Sequence, residues 1–541
     1  MNRSAFHDPA RPTPTATSSA PRPGRRAVLG TAALAAAGAA GLPAATAQGP
    51  APGDLPDEDR PTAGQDALTV RPPADTTTVL RNPLTGWVLY GTGSPADTYW
   101  TDYDALVVPG REETVRVADY AHTLYFRLSW TVLNPEEGVY GWDVHEGLRT
   151  MIDGAEQRGM RLAFRVVVDS RDKSSDFTPP YVREAGAQGY ETQTGSATVW
   201  SPYPDDPIFQ EKYATFVRAL GERFDRPAEV DFVDGYGLGK WGEGHSMRYL
   251  DDANREAVFH WSVDLYSEAF QKVPLAINYH RMIGGPKDWG DPDPGSAALL
   301  EYAIDKGYML RHDAFGMTTY YGQWERDFAA RWAGRLPIMF EGGWVTKSHS
   351  FSDDPRGYET VEDVRRGEYD DAIEAHVNTM DFRIGETTSW FEDVPELVDD
   401  FIARGGYRLQ PVEVTLPGRI PRRRRHTLTH SWSNLGWGHF PGNLPQWKGK
   451  YQVAFALLDP DADYRVVQLF VDPSADPSRW AEGEVHDHSL DVTVSGPRRD
   501  GLLWGIAIVD TTAGNTPGIA LAASGEHSPD GWLLLGTCSV G

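Results

Sequence analysis

From Gly86 onward, short apolar runs alternate with stretches of helical period, and this alternation constrains the chain more than any other feature. Strands are expected at Gly86–Tyr90, Thr123–Trp130, Arg161–Asp169, Val230–Gly237, Pro274–Tyr279, Ala314–Tyr320, Leu336–Phe340 and Thr387–Phe391. Helices are expected near Val144–Arg158, Pro207–Phe224, Ala253–Gln271, Ala297–Lys306, Glu325–Ala333, Val361–Val377 and Pro395–Ala403. Eight strands joined by helical crossovers over residues 76–405 predict an α/β fold, a (β/α)8 TIM barrel. An open doubly wound sheet would want a glycine-rich phosphate loop after an early strand, and Gly237-Leu-Gly-Lys240 lacks the third glycine.

After Gly406 the helical period disappears. Short β-type runs take over at Val412–Leu416, Tyr451–Leu457, Arg465–Phe470, His488–Val494, Leu502–Asp510 and Trp532–Leu535, with turn residues between them. Residues 406–541 are therefore expected to form a C-terminal antiparallel β-sandwich that braces the barrel.

The N-terminus is of another kind. Arg25-Arg26 precede an alanine-rich apolar run, Ala27–Leu42, and Ala45-Thr46-Ala47 offers a small-residue cleavage site. Residues 1–47 read as an export signal of the twin-arginine type, and residues 48–75 as a disordered lead-in. That route carries folded proteins, which suits a chain whose one cysteine, Cys538, excludes an internal disulfide. The expected location is outside the cell, with no membrane contact once the signal is removed. A formal charge of −26 argues against nucleic acid and anionic membranes as partners. The 18 Trp and 23 Tyr suit stacking on sugar rings, although most belong in a core. Oligomeric state is left open.

Two strands run into glutamates. Leu336–Phe340 leads to Glu341 and a double glycine, and Val230–Gly239 leads to Trp241-Gly242-Glu243-Gly244-His245. Barrel active sites lie at the C-terminal ends of the strands, so Glu243 after strand four and Glu341 at the end of strand seven face one mouth. Two carboxyl groups across a pocket are what glycoside hydrolysis uses, one as acid and the other at the anomeric carbon. Arg127 lies within an apolar strand, where a buried guanidinium needs a carboxylate partner, and Glu341 is the candidate. Asn278, Tyr279 and His280 close strand five. The spacing of His245, His280, His312 and Asp313 matches no ligand motif, so neither a catalytic metal nor a cofactor is expected. A structural calcium in the loop Asp291–Asp293 is left open.

The glutamate pair resembles clan A of the retaining glycoside hydrolases. Arg127-Leu-Ser-Trp130 followed by Leu133-Asn-Pro-Glu-Glu-Gly-Val-Tyr-Gly-Trp-Asp143 is similar to the second-strand segment of that clan's β-galactosidases and xylanase-like enzymes. The whole chain is also similar to secreted bacterial proteins known by domains of unknown function. The resemblance covers roughly residues 80–405 and implies a secreted glycosidase acting on a poly- or oligosaccharide by a retaining mechanism. It implies Glu243 as acid/base and Glu341 as nucleophile, Arg127 as the nucleophile's supporting cation, Tyr320 as its hydrogen-bond donor, and Trp390 as the floor under the sugar. Trp130, Trp241, His245, Asn278 and Trp344 complete the expected substrate contacts. One position departs from the clan: its asparagine before the acid/base, which binds the sugar 2-hydroxyl, is Gly242 here. Asn278 or His245 is left to fill that role, or the sugar configuration is unusual. The competing expectation is a catalytically silent barrel that binds carbohydrate at a cell surface.

Overall fold

The computed structural model describes residues 67–91, 98–343, 355–383 and 385–541; the expected export signal and residues 48–66 of the lead-in lie outside them. Eight parallel strands close into a barrel: β1 Gly86–Gly91, β2 Ala121–Ser129, β3 Arg161–Val167, β4 Val230–Asp234, β5 Leu275–Asn278, β6 Met309–Phe315, β7 Ile338–Gly342 and β8 Thr379–Phe382. Neighbours in space follow the order of the chain, and β8 closes on β1 with Thr379 opposite Gly86. The strands are apolar because helices cover the sheet from outside. All five residues of β4, Val-Asp-Phe-Val-Asp, are buried.

The helices carry clear local signals. Pro207–Phe224 starts at Asp206, whose carboxylate accepts from the amides of Ile208 and Phe209 at 2.9 Å each, with proline at the first helical position. It buries Phe209, Tyr213, Phe216, Val217, Leu220 and Phe224 against the barrel, the spacing of one helical face.

Three expectations need correction. The sixth strand begins five residues earlier than expected and ends at Phe315, because Arg311 and His312, both buried, and the partly buried Asp313 are strand residues and not a polar lead-in. The eighth strand is Thr379–Phe382, and the expected Thr387–Phe391 is instead part of the helix Thr387–Asp393. Its aromatic run mimics a strand because Trp390 and Phe391 pack on the barrel wall, Trp390 edge-on to Trp87 with ring centres 5.1 Å apart. Within the expected lead-in, Ala67–Val70 forms a strand paired with Val414–Pro417. A hairpin, Gly189–Thr194 with Ala197–Pro202, also stands between β3 and its helix.

Beyond Arg404 the chain forms two sheets. Ala67–Val70, Leu409–Pro417, Arg425–Asn434 and Val485–Thr493 make one; Arg419–Ile420, Leu533–Val540, Arg499–Asp510, Tyr451–Asp459 and Arg465–Asp472 make the other, with Thr516–Ile519 added on Arg499–Asp510. Leu428, Trp432, Phe455, Leu457, Trp504 and Ile508 fill the space between them. This sandwich is fastened beneath the barrel, at the N-terminal ends of the strands. Asn378, just before β8, donates to the carbonyls of Leu84 (3.0 Å) and His439 (2.8 Å) and accepts from the His439 amide at 3.1 Å. Trp437 donates its indole N–H to the Val377 carbonyl at 3.0 Å. Among the described residues no helix is long and apolar enough to cross a membrane.

Candidate active site

The upper layer of the barrel interior is charged, and strand register explains its layout. Arg127 of β2 sits opposite Arg165 of β3, and Arg165 opposite Asp234 of β4. Arg165 therefore donates from Nε to Asp234 at 2.8 Å, while Tyr125 donates to the same oxygen at 2.6 Å. Arg311 of β6 reaches Asp234 from the other side at 3.3 Å. A buried guanidinium persists only where carboxylates answer it, and each of these is answered.

Glu243 reaches this layer through a tight loop after β4. Gly237, Gly239, Trp241, Gly242, Gly244 and Ser246 all have positive φ, and the Lys240 and Gly244 amides bond back to the His245 and Leu238 carbonyls at 3.0 and 2.9 Å. Gly242, with φ +76°, lies so close to β3 that a Cβ would stand 2.6 Å from the Val166 carbonyl oxygen. A side chain there would collide with the strand backbone. The loop instead curls back over the barrel and turns Glu243 inward.

Glu341, four residues into β7, is fixed by its own strand end. The following amide, Gly342 N–H, donates to Asp381 of β8 at 3.1 Å. Arg383, just past β8, donates to both Glu341 Oε1 (2.9 Å) and the Gly342 carbonyl (2.6 Å). Arg311 forms a close ion pair with Glu341 Oε2.

The two glutamates meet at Arg127. Its Nη1 lies 3.3 Å from Glu243 Oε1 and 3.7 Å from Glu341 Oε1, so these two oxygens are no farther apart than the sum, 7.0 Å. Arg165 also spans them, at 2.8 Å from Glu243 and 3.9 Å from Glu341. Both carboxylates are almost fully buried, whereas the Arg127 side chain keeps 23% of its surface exposed.

Glu243 has further partners. Its Oε2 contacts His245 Nε2 at 3.2 Å, and His245 Nδ1 contacts Asp288 at 3.1 Å. Asp313, near the end of β6, brings a carboxylate oxygen within 4.8 Å of a Glu243 oxygen. Burial and the neighbouring Asp313 carboxylate raise the Glu243 pKa, against the pull of His245 and Arg165. Burial alone would lower His245, but Asp288 and Glu243 hold the imidazole protonated, up to about 9. Burial would raise Asp313, yet Glu243 and the charged His245 keep it well below the usual carboxylate range. His280, stacked on His245 at 4.9 Å, is pushed far down by burial and by His245.

Glu243, His245 and Asp313 each bring one ligand atom within 4.8 Å of the others and form the one group among the described residues that could hold a metal ion. Arg127 and Arg165 both touch the same Glu243 oxygen, so a dication here would face two guanidiniums. The Asp291–Asp293 loop is not an open calcium cradle either, since Asp293 pairs with Arg255 at 2.6 Å.

Of the other expected contacts, Asn278 lies below the acid loop and donates to the Glu243 carbonyl at 3.2 Å. Trp241 is half-buried, packs edge-on to His245 with ring centres 5.8 Å apart, and donates to Asp172 at 2.6 Å. Tyr320 lies in the turn after β6 with its ring edge-on to Trp289. Trp130 and Trp390 are corrections, because both are fully buried core residues. Trp130 packs among Tyr181, Phe209, Tyr213 and Phe216. Trp390 lies under Arg365, 4.9 Å from its guanidinium carbon. Trp344 lies outside the described residues.

Sequence reasoning missed Arg165, Arg311, Arg383 and Asp234 as site residues, and raised Asp313 only in connection with a metal. Arg165 carried the same signal as Arg127, a guanidinium within the apolar run Leu162–Val168. Arg311 and Asp313 were hidden by the late placement of the sixth strand, and Arg383 by that of the eighth.

No family model matches the chain, and no curated protein matches it. Among the solved structures it is similar to are several glycoside hydrolases. One is a xylanase from Paenibacillus barcinonensis, with 10% identity over 55% of this chain and 83% of that one and a TM-score of 0.34. Another is endo-glycoceramidase II from Rhodococcus sp., with 15% identity over 78% of this chain and 100% of that one and a TM-score of 0.33. A third is an endo-β-1,4-mannanase from Thermotoga petrophila, with 10% identity over 80% and 95% and a TM-score of 0.34. Likeness at this level assigns no role to any residue.

Proposed function

We propose that this protein is a glycoside hydrolase that cleaves a poly- or oligosaccharide, with Glu243 as acid/base and Glu341 as nucleophile of a retaining mechanism. The observation that carries this reading is the meeting of the two carboxylates at Arg127 on the C-terminal rim of the barrel. Their surroundings differ as the two roles require. Glu243 has a neighbouring carboxylate, which favours its protonated form; Glu341 is met by the guanidiniums of Arg311, Arg383 and Arg127. In the first step Glu243 protonates the departing glycosidic oxygen while Glu341 attacks the anomeric carbon. In the second, Glu243 takes a proton from water, which displaces Glu341.

The test is a screen of the mature protein, from Gln48, against aryl glycosides and polysaccharides, beside Glu243→Gln and Glu341→Gln. Loss of about a thousandfold or more in both variants, roughly 4 kcal/mol of transition-state stabilisation, supports the assignment. Turnover indifferent to either change refutes it. One observation favours a second reading, a silent carbohydrate-binding barrel: both carboxylates are almost fully buried within ion pairs. Glycan binding by folded protein without turnover on any substrate would select that reading. We also propose export by the twin-arginine route, on the strength of Arg25-Arg26 and the apolar run after them.

A further inference from the structure

Two largely buried carboxyl groups whose oxygens approach within 4.8 Å favour one shared proton over two full negative charges. Glu243 and Asp313 are such a pair, brought together from the loop after β4 and the end of β6. Of the β6 residues, Asp313 faces Glu243, while Arg311 pairs with Glu341. We propose that Glu243 and Asp313 form a one-proton carboxyl pair, in which Asp313 is the positioning residue that keeps Glu243 protonated before substrate is cleaved. The inference rests on the glycosidase reading for its purpose, but not for its geometry.

The surroundings of the pair are consistent with a single shared proton. Arg127 and Arg165 both face Glu243 Oε1, from β2 and β3, and His245 faces Oε2 from the acid's own loop. A lone carboxyl group so placed would be drawn towards its ionised form. Asp313 opposes this, since a second full negative charge beside it is costly in a buried site. His312 Nδ1 lies 3.6 Å from Asp313 but accepts from the Ala314 amide at 3.1 Å, so it offers Asp313 no proton, while His280 stacks between the His245 and His312 rings. Asp288, with Lys240 at 3.3 Å, anchors the far nitrogen of His245 and so fixes the ring against Glu243. During the reaction the shared proton passes from Glu243 to the leaving oxygen as the glycosidic bond breaks. The pair is then briefly dianionic, balanced by Arg127, Arg165 and the His245 cation, until Glu243 recovers a proton from water. Atoms and charge balance without any further reactant.

The experiment is a ¹³C NMR titration of protein labelled at the glutamate carboxyl carbons, with the Glu243 signal assigned by its loss in Glu243→Gln. Wild type is expected to show Glu243 titrating above the ordinary glutamate range of about 4.3. In Asp313→Asn, which keeps the shape and removes the charge, its midpoint should fall by about one unit or more. An unchanged midpoint in Asp313→Asn, or a Glu243 already ionised through the neutral range in wild type, overturns the proposal. Should Asp313→Asn not fold, infrared difference spectra of wild type against Glu243→Gln decide: a protonated carboxyl band lost in the variant at neutral pH supports the pair, and its absence overturns it. Where a substrate is found, the alkaline limb of kcat/KM should move to lower pH in Asp313→Asn, which a merely structural role would not cause. Because the titration reads a carboxyl group and not turnover, a failed sugar screen leaves this result standing. An active enzyme with an ordinary Glu243 would sink this proposal alone.

Discussion

Gly242 offers the sharpest test of how the acid loop is built. Its φ of +76° lies in the left-handed region, and a Cβ would stand 2.6 Å from the Val166 carbonyl oxygen and 3.2 Å from Arg165 Cδ. The first cost is a backbone term, about 1–2 kcal/mol for an L-residue held left-handed. The second is a collision with a strand carbonyl that cannot swing away, about 1–3 kcal/mol on the scale of overpacked cores. Gly138 separates the two, because it has nearly the same φ, +77°, with nothing within 4 Å of its virtual Cβ. Gly138→Ala should therefore lose about 1–2 kcal/mol and Gly242→Ala about 2–5 kcal/mol, measured as the urea midpoint of the barrel transition. Gly242→Asn should be nearly as damaging as Gly242→Ala, although asparagine tolerates positive φ, because its Cβ meets the same oxygen. Equal destabilisation of Gly138→Ala and Gly242→Ala would refute the packing argument.

Other expectations follow from buried charge and from the core. Arg365 is fully buried between Glu368 and Glu386, so Arg365→Leu should cost about 3–5 kcal/mol by removing the cation that both groups meet, seen as a lowered urea midpoint. Glu368 is pushed by burial to about 8, so it binds a proton more tightly folded than unfolded. Stability should decline as pH rises from its unfolded value towards 8, and Glu368→Gln should flatten that decline in thermal melts across the window. Trp390→Ala should lose about 3–5 kcal/mol of stability, as a core residue does, where a sugar platform would chiefly raise KM. Replacing Arg25-Arg26 by two lysines should retain the protein inside the cell, and a normally exported variant would refute the twin-arginine reading.

What the sequence disclosed and what it hid divide along a physical line. The barrel was legible because parallel strands buried on both faces must be apolar, and runs such as Leu336–Phe340 cannot be hidden. The strands that were misplaced are those where buried charge replaced apolar residues: β6 opens Met-Leu-Arg-His-Asp, and β8 is only Thr-Met-Asp-Phe before Arg383. Each of those charges is paid for by a partner on another strand, as Arg311 is by Asp234 and Glu341, and such a partner is invisible to any local window. The tryptophans misled for the opposite reason. Trp130 and Trp390 occur beside residues that resemble a sugar site, but their burial is settled by helices more than a turn away.

The same line explains why Glu243 stands out in the sequence and Asp313 does not. A glutamate among glycines after a strand is conspicuous, whereas Asp313 sits in a strand that looks too polar to be one. Its role becomes visible only when the ends of β4 and β6 are set across the same rim. Arg127 contacts both Glu243 and Glu341, so it stabilises both ionised forms and cannot by itself set the proposed acid apart from the proposed nucleophile. The asymmetry has to come from what each glutamate meets alone: Asp313 for Glu243, and Arg311 with Arg383 for Glu341. Removing Arg127 should therefore weaken both roles together, while removing the Asp313 charge should disturb the acid and leave Glu341 in place.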